Sequence, residues 1–108
     1  MTSAKVPQQV RERAVALGGR IKAARAHRKL RQVDLAERAG LSRSTVEAIE
    51  RGEIDTSLGA YLRALWAMGL DKEIELLADP GLDREGLALE FSSGTKRVRV
   101  NRGLPNDF

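Results

Sequence analysis

The residues of this 108-residue chain best suited to contact another molecule lie between Ser42 and Arg51. At helical spacing, one side of this segment carries short polar groups and two arginines: Arg43, Ser44, Thr45, Glu47, Ala48 and Arg51. Guanidinium, hydroxyl and carboxylate groups can hydrogen-bond base edges and phosphates, and an alanine methyl can meet a thymine methyl. Because this side has no large hydrophobic residue, the pattern favours contact with nucleic acid over packing against protein.

Two short helices joined by a glycine turn are expected to position this polar side. The sequence predicts the first helix over Gln32–Ala39 and a turn at Gly40, which adopts left-handed backbone without a Cβ clash. Ser42 is the expected N-cap of the second helix, and Gly52 its C-terminal stop. Ala36 is small enough for two crossing helices to touch. The apolar residues of the pair are predicted to face the core: Leu35, Ala36, Ala39, Leu41, Val46 and Ile49.

The chain before this motif is also predicted to be helical. Residues 1–6 are expected to be flexible, and Pro7 suits a first helical turn. Apolar residues then recur at helical spacing towards Leu30. Gly18 and Gly19 leave two interpretations open, since they either separate two helices or only weaken one long helix. Residues 1–16 are therefore treated as an N-terminal extension of helical type.

Two further helices are expected after the motif. Ser57 can cap a fourth helix, and Asp71 can cap a fifth one that continues through Ala78 and closes at Asp79. The predicted apolar stripe of the fourth helix comprises Leu58, Tyr61, Leu62, Leu65 and Trp66. Residues 82–91 are ambiguous, and residues 96–100 alternate with the period of a strand. The predicted fold class is all-α with five helices, with a domain over 17–79 and a C-terminal extension over 80–108.

Composition excludes several classes of function. The chain has no Cys and one His, His27, and it contains no phosphate-binding loop or hydrolase motif. We therefore expect no enzyme activity, no metal and no cofactor. No apolar run approaches the roughly 20 residues of a membrane helix, and the start lacks the apolar core of a signal peptide. A cytoplasmic, nucleoid-associated protein without membrane contact is expected.

The net charge of +4 is unevenly distributed along the chain. Residues 11–31 carry eight Lys or Arg and one acid, whereas residues 71–90 carry seven acids and two basic residues. A basic region beside an acidic region indicates a polyanionic partner on one side and a different partner on the other.

The segment QVDLAERAGLSRSTVEAIERG, with its flanking helices over about residues 17–78, resembles the helix-turn-helix of the XRE class, typified by Cro and lambda repressor. The resemblance implies a lambda-repressor-like domain whose second motif helix enters the DNA major groove. It assigns base edges to Arg43, Ser44, Glu47 and Ala48, although Glu47 is alternatively an orienting partner of Arg43. The residues assigned to phosphate contacts are Arg25, Arg28, Gln32, Ser42, Thr45 and Arg51.

The same resemblance bears on an ion pair and on a loop at the edge of the interface. Arg25 and Glu50 match a pair that forms a salt bridge in some family members, either in support of a phosphate contact or as a plain structural pair. The loop 53–57 carries two acids where several family members have basic phosphate contacts, so the sequence departs from the family at that edge of the interface. Arg28, Lys29 and Arg31 are the candidates to compensate from the other side.

A single such helix covers few base pairs, so a homodimer on an inverted-repeat operator is expected. The predicted dimer residues are Trp66, Phe91, Val98 and Val100, the last two in a short C-terminal β-strand that pairs with its own copy. The alternative for the strand segment 96–100 is a basic tail without regular structure.

A second, less specific resemblance connects residues 57–90 with HipB-like antitoxins, which are encoded beside HipA-type serine/threonine kinases. It implies a repressor that binds its own operator and also a HipA-like kinase toxin, with the acidic region 71–90 as the docking surface. The alternatives are a stand-alone dimeric transcriptional regulator with no toxin partner and an adaptor that does not bind DNA.

Overall fold

The structure, a computed structural model, describes residues 5–92 and is all-α, as the sequence predicts. It contains α1 (Gln8–His27), α2 (Gln32–Ala39), α3 (Arg43–Arg51), α4 (Leu58–Ala67), a 3₁₀ helix (Asp71–Leu76) and α5 (Arg84–Ser92). The predicted strand 96–100, with Val98 and Val100, lies outside the described residues. None of the helices within 5–92 combines the length and apolar character needed to cross a bilayer.

The first helix runs unbroken through Gly18 and Gly19, which decides between the two interpretations of that pair. Gly18 faces the C-terminal end of α3. A Cβ atom built on Gly18 would lie 2.5 Å from the Ile49 carbonyl oxygen and 2.8 Å from the Gly52 nitrogen. One built on Gly52 would lie 2.5 Å from the Val15 Cα atom. The two helices therefore meet backbone to backbone, and each needs a glycine at the contact.

The turn between α2 and α3 follows the local chemistry of its residues. Gly40 has a φ of 71° and ends α2, and the Leu41 N–H donates to the Ala36 carbonyl at 2.9 Å. The Ser42 side chain caps α3 by accepting from the Thr45 N–H at 3.1 Å, and Gly52 ends that helix with a φ of 75°. The predicted cap, turn and stop are confirmed.

One hydrophobic core joins the first four helices. Its largest fully buried side chains are Ile21, Leu35, Val46 and Ile49, each of which stabilises the fold by roughly 1.5–3 kcal/mol through burial. Smaller or less completely buried members complete it: Ala36, Ala39, Ala60, Tyr61, Ala64 and Met68. Leu41 packs against this cluster as a partly buried residue. The inward face predicted for the motif is thus confirmed.

The apolar stripe predicted for α4 is correct only in part. Tyr61 is buried and donates its hydroxyl to the Glu53 carbonyl at 3.0 Å, which ties α4 to the loop before it. Leu58 and Trp66, however, are 67% and 61% exposed. The face turned towards α2 and α3 is instead formed by Ala60, Tyr61, Ala64 and Met68, because small alanines allow the helix backbone to approach closely.

The chain divides into two units, the first ending at Lys72 and the second beginning at Glu73. The expected fifth helix through Ala78 is wrong in extent: Ala78 has a φ of 58°, which no right-handed helix accommodates, and only a short 3₁₀ helix forms before it. The ambiguous segment 82–91 is largely helical, since α5 begins at Arg84 and ends at Ser92. Within the second unit several large apolar side chains are exposed: Leu76, Leu77, Leu82, Leu89 and Phe91. The predicted domain boundaries at 16 and 79 stay predictions.

Candidate nucleic-acid interface

The outer side of α3 presents the residues that the sequence assigned to base edges. Arg43 and Ser44 are exposed at the N-terminal end of the helix, and Glu47 and Ala48 are half-buried one turn later. Since Val46 and Ile49 of the same helix are fully buried, this side is turned away from the core. The four predicted residues therefore share one accessible helix surface.

Hydroxyl groups cluster where α3 begins. The Ser42 Oγ atom lies 2.9 Å from Thr45 Oγ1 and 3.1 Å from Ser44 Oγ, in addition to its capping bond. The cap sets the residue at which α3 begins, and therefore which side chains lie in its first turn. Ser42 and Thr45, both predicted phosphate contacts, lie together in this first turn.

Arg43 and Glu47, one helical turn apart, form an ion pair. Arg43 Nε lies 3.4 Å from Glu47 Oε2, and the two side chains are 65% and 36% exposed. This geometry agrees with the interpretation that Glu47 orients Arg43. An exposed i,i+4 pair contributes only about 0.3–0.5 kcal/mol, so Arg43 can leave it for a stronger partner at little cost.

The Glu50 side chain, near the C-terminal end of α3, is almost fully buried. Its carboxylate accepts from Arg25 Nε at 2.6 Å, from Arg25 Nη2 at 3.1 Å and from Gln32 Nε2 at 3.0 Å. Burial alone would raise the pKa of Glu50, but the hydrogen bonds from Arg25 and Gln32 outweigh it, and the pKa is lowered. The structure thus contains the Arg25–Glu50 ion pair and connects it to the first residue of α2.

Arg25 has little freedom beyond this network. Its Nη1 atom donates to the Leu30 carbonyl at 2.7 Å, and its side chain is 13% exposed. Its direct contact with phosphate stays a prediction. The geometry gives Arg25 a structural role, because its side chain joins the end of α1 to α3 and to the turn before α2.

The C-terminal edge of the interface keeps a small net negative charge. Arg51 Nη2 lies 2.8 Å from Glu53 Oε2, so one acid of the loop 53–57 is paired with the neighbouring arginine. An open groove of about 580 Å³ separates this end of α3 from the start of α4, and both Thr56 and Ser57 line it. Asp55 remains exposed in the loop.

Positive charge is concentrated at the turn between α1 and α2. Arg28 is exposed and donates to the Ala24 carbonyl at 2.9 Å. Arg31 pairs with Asp34 at 2.9 Å, and the hydrogen bonds of its side chain and backbone lower the pKa of that carboxyl to about 2. Residues 5–72 carry 14 basic and 8 acidic residues, whereas residues 73–92 carry one basic and six acidic residues.

Two contacts that fix the position of α3 were not predicted from the sequence. The Gln32–Glu50 hydrogen bond joins residues 18 positions apart, and no local pattern indicates it. For the close contact between Gly18 and Gly52, the sequence offered only the glycine pair within a helical period, and that pair does not distinguish Gly18 from Gly19, where an added Cβ atom would contact nothing outside its own helix.

Comparison with known proteins agrees with this geometry. Residues 16–77 match a family model described as a helix-turn-helix domain. The immunity repressor protein of Bacillus phage phi105 is 48% identical over 54 residues, which cover 50% of this chain and 38% of that repressor. The chain thus spans less than half the length of this relative. No solved structure matches the chain. Because the family match covers more than half of the chain, the protein belongs to the helix-turn-helix domain family.

Proposed function

We propose that this protein is a sequence-specific transcriptional repressor that inserts α3 into the DNA major groove. The observation that carries the proposal is the exposed polar side of a capped α3 whose opposite side is locked in the core. Membership in a helix-turn-helix family and the similarity to a phage immunity repressor support the same conclusion.

Base recognition is assigned to the N-terminal half of α3. Arg43 is proposed to donate two hydrogen bonds to guanine O6 and N7, which contributes about 1–3 kcal/mol of discrimination. Ser44 and the Ala48 methyl are proposed to contact neighbouring base edges. Glu47 either orients Arg43 through the observed ion pair or accepts from a cytosine amino group.

Phosphate contacts are proposed to flank α3 on both sides. Gln32 stands at the first position of α2, where free backbone amides also attract an anion. Arg28 adds charge from the α1–α2 turn, Thr45 and Ser42 lie at the start of α3, and Arg51 lies at its end. Arg25 is proposed to act here chiefly through the Glu50 network.

The protein is proposed to bind DNA as a homodimer on an inverted repeat, with half-sites about 34 Å apart. The exposure of Trp66 in the first unit and of Phe91 in the second supports an interface that covers apolar surface. The predicted strand with Val98 and Val100 remains part of this proposal.

A second proposal adds a protein partner. The second unit combines an excess of acids with exposed leucines, as a docking surface for a basic protein would. This observation favours the HipB-like antitoxin interpretation, in which a HipA-like kinase toxin binds the repressor. Without that partner, the protein is a stand-alone cytoplasmic regulator located at the nucleoid.

Selection from a random duplex library tests the DNA proposal. We expect an inverted-repeat site to be enriched, and Arg43→Ala to lose about tenfold or more in affinity for it while unfolding at the same temperature as the parent. Arg13→Ala, which removes an exposed arginine of α1, is the matched control and should bind nearly normally. Enrichment of no sequence, or equal binding by Arg43→Ala, contradicts the proposed base recognition.

The partner proposals need separate measurements. Equilibrium sedimentation should show a dimer, and Trp66→Ser or truncation after Ser92 should weaken its association. If the parent remains a monomer both free and on its selected DNA site, the dimer proposal is contradicted. For the antitoxin, the product of a neighbouring kinase-like reading frame should bind the parent and bind Glu73→Lys/Glu75→Lys less tightly. The absence of such a reading frame leaves the stand-alone regulator.

A further inference from the structure

The turn between α1 and α2 contains a lysine in an unfavourable backbone conformation. Lys29 has a φ of 59°, in the left-handed region where glycine is normally found. Its N–H donates to the Ala26 carbonyl at 2.9 Å, and the Leu30 N–H donates to the Arg25 carbonyl at 3.2 Å. Lys29 thus closes α1 at the position that usually takes glycine, so its side chain is present despite a cost in stability.

The charge of Lys29 is also uncompensated. Arg25 is bound to Glu50, and Arg31 is bound to Asp34. The ammonium group of Lys29 is exposed and has neither a hydrogen bond nor an ion pair with any residue between 5 and 92. Within the described residues, Lys29 and Arg28 are thus the two Lys or Arg side chains of this turn without a carboxylate partner, and the Arg28 guanidinium already donates to the Ala24 carbonyl.

The turn that carries Lys29 is held firmly relative to α3. Arg25 donates to the Leu30 carbonyl at 2.7 Å and to the Glu50 carboxylate of α3 in the same network. Gln32, three residues after Lys29, donates to that carboxylate as well. The backbone from which the Lys29 side chain extends is thus held beside the start of α2, within reach of a DNA backbone that also contacts α3.

From these observations we propose that Lys29 binds a DNA phosphate next to the one assigned to Gln32. The inference rests on the proposed function and adds a residue to it. The ammonium group adds a point charge to that of Arg28 at an edge where Arg25 and Arg31 are paired with carboxylates. It also offsets the acidic loop at the opposite edge. In the free protein this lysine costs stability, and in the complex it contributes affinity.

The experiment measures binding and stability on the same variants. A fluorescent 30-base-pair duplex of random sequence is titrated by anisotropy at several salt concentrations. Each phosphate contact contributes about 0.9 to the slope of log K against log salt, or roughly eightfold in affinity at 0.1 M relative to 1 M salt. At 0.1 M salt we therefore expect Lys29→Gly to bind the duplex about eightfold more weakly per protomer than the parent does. Its slope of log K against log salt should be shallower, and its melting temperature should be higher.

Three further variants complete the test. Lys29→Arg should bind as the parent does, and Lys29→Gln should bind as weakly as Lys29→Gly. Lys72→Ala removes one exposed lysine at the end of the first unit and should leave the slope unchanged. If Lys29→Gly and Lys29→Gln bind the duplex as Lys72→Ala does, the inference is overturned although DNA binding stands. If the parent itself does not bind duplex DNA, the proposed function fails first.

Discussion

Gly18 and Gly19 are neighbours in α1 but have opposite surroundings, and replacing each with alanine should change stability in opposite directions. A Cβ atom on Gly19 would have no heavy atom within 4 Å, apart from its own helix backbone and chain neighbours. A Cβ atom on Gly18 would lie within 2.8 Å of three backbone atoms of α3 and its C-terminal stop. The pair thus separates helix propensity from close packing.

The expected magnitudes follow from these distances. Alanine is favoured over glycine in a helix interior by roughly 1 kcal/mol, so Gly19→Ala should raise the free energy of unfolding by about that amount. At Gly18 the same gain is opposed by overpacking, which costs about 1–3 kcal/mol. Because backbone atoms cannot rotate away as a side chain can, we expect the upper end of that range and a net loss of about 2 kcal/mol.

Thermal and urea unfolding followed by far-ultraviolet circular dichroism measure both variants. For a domain of this size, 1 kcal/mol corresponds to about 4–8 °C, so Gly19→Ala should melt about 4–8 °C higher and Gly18→Ala about 8–16 °C lower than the parent. Equal stabilisation by both substitutions would refute the close contact between α1 and α3. In DNA binding, Gly19→Ala should match the parent, since it leaves α3 in place.

Three other substitutions test local features of the structure. Ser42→Ala removes the cap of α3 and should lower the free energy of unfolding by about 1 kcal/mol in urea titrations; an unchanged midpoint would contradict the cap. Glu50→Gln leaves the partly buried Arg25 without its counter-charge, so we expect the free energy of unfolding to fall by several kcal/mol. Because the pKa of Glu50 is lowered from its ordinary value of 4.5, its contribution to the free energy of unfolding is complete above pH 4.5 and is lost as pH falls. The difference in unfolding free energy between the parent and Glu50→Gln should therefore shrink in acid. A difference that stays constant with pH would be evidence against the ion pair. By the same sign, the pKa of Asp34 is lowered from 3.8 to about 2 by Arg31, so Asp34→Asn should flatten the loss of stability between about pH 4 and pH 2 in acid titrations.

The helix-turn-helix was predictable because its boundaries are set by local chemistry. Ser42 supplies a cap oxygen at the start of α3, and Gly40 and Gly52 adopt left-handed backbone at the two helix ends. Each of these effects acts within four residues, so the sequence contains it directly. The inward residues Val46 and Ile49 followed from the same helical period.

Contacts between distant segments could not be predicted in the same way. The apolar residues of α4 extend around most of its circumference, so periodicity did not show that Trp66 and Leu58 lie outside while Ala60 and Ala64 lie inside. The end of the 3₁₀ helix was missed because the left-handed φ of Ala78 has no signal in an alanine.

The candidate site shows the same division. The residues on the outer side of α3 were predictable from their spacing. The attachment of Gln32 to Glu50 was not, because it depends on how three helix ends meet. The ion pair between Arg51 and Glu53, which neutralises part of the acidic loop, was likewise not foreseen.

Gly52 is both the residue at which α3 ends and the residue against which the backbone of α1 packs. A longer α3 would collide with α1, and a shorter one would break their contact, so the length of this helix is set by its neighbour. A change of DNA sequence preference is therefore to be engineered by exchanging side chains on α3 while its length is kept constant. Insertions and deletions belong elsewhere, at the loop 53–57 or beyond the first unit.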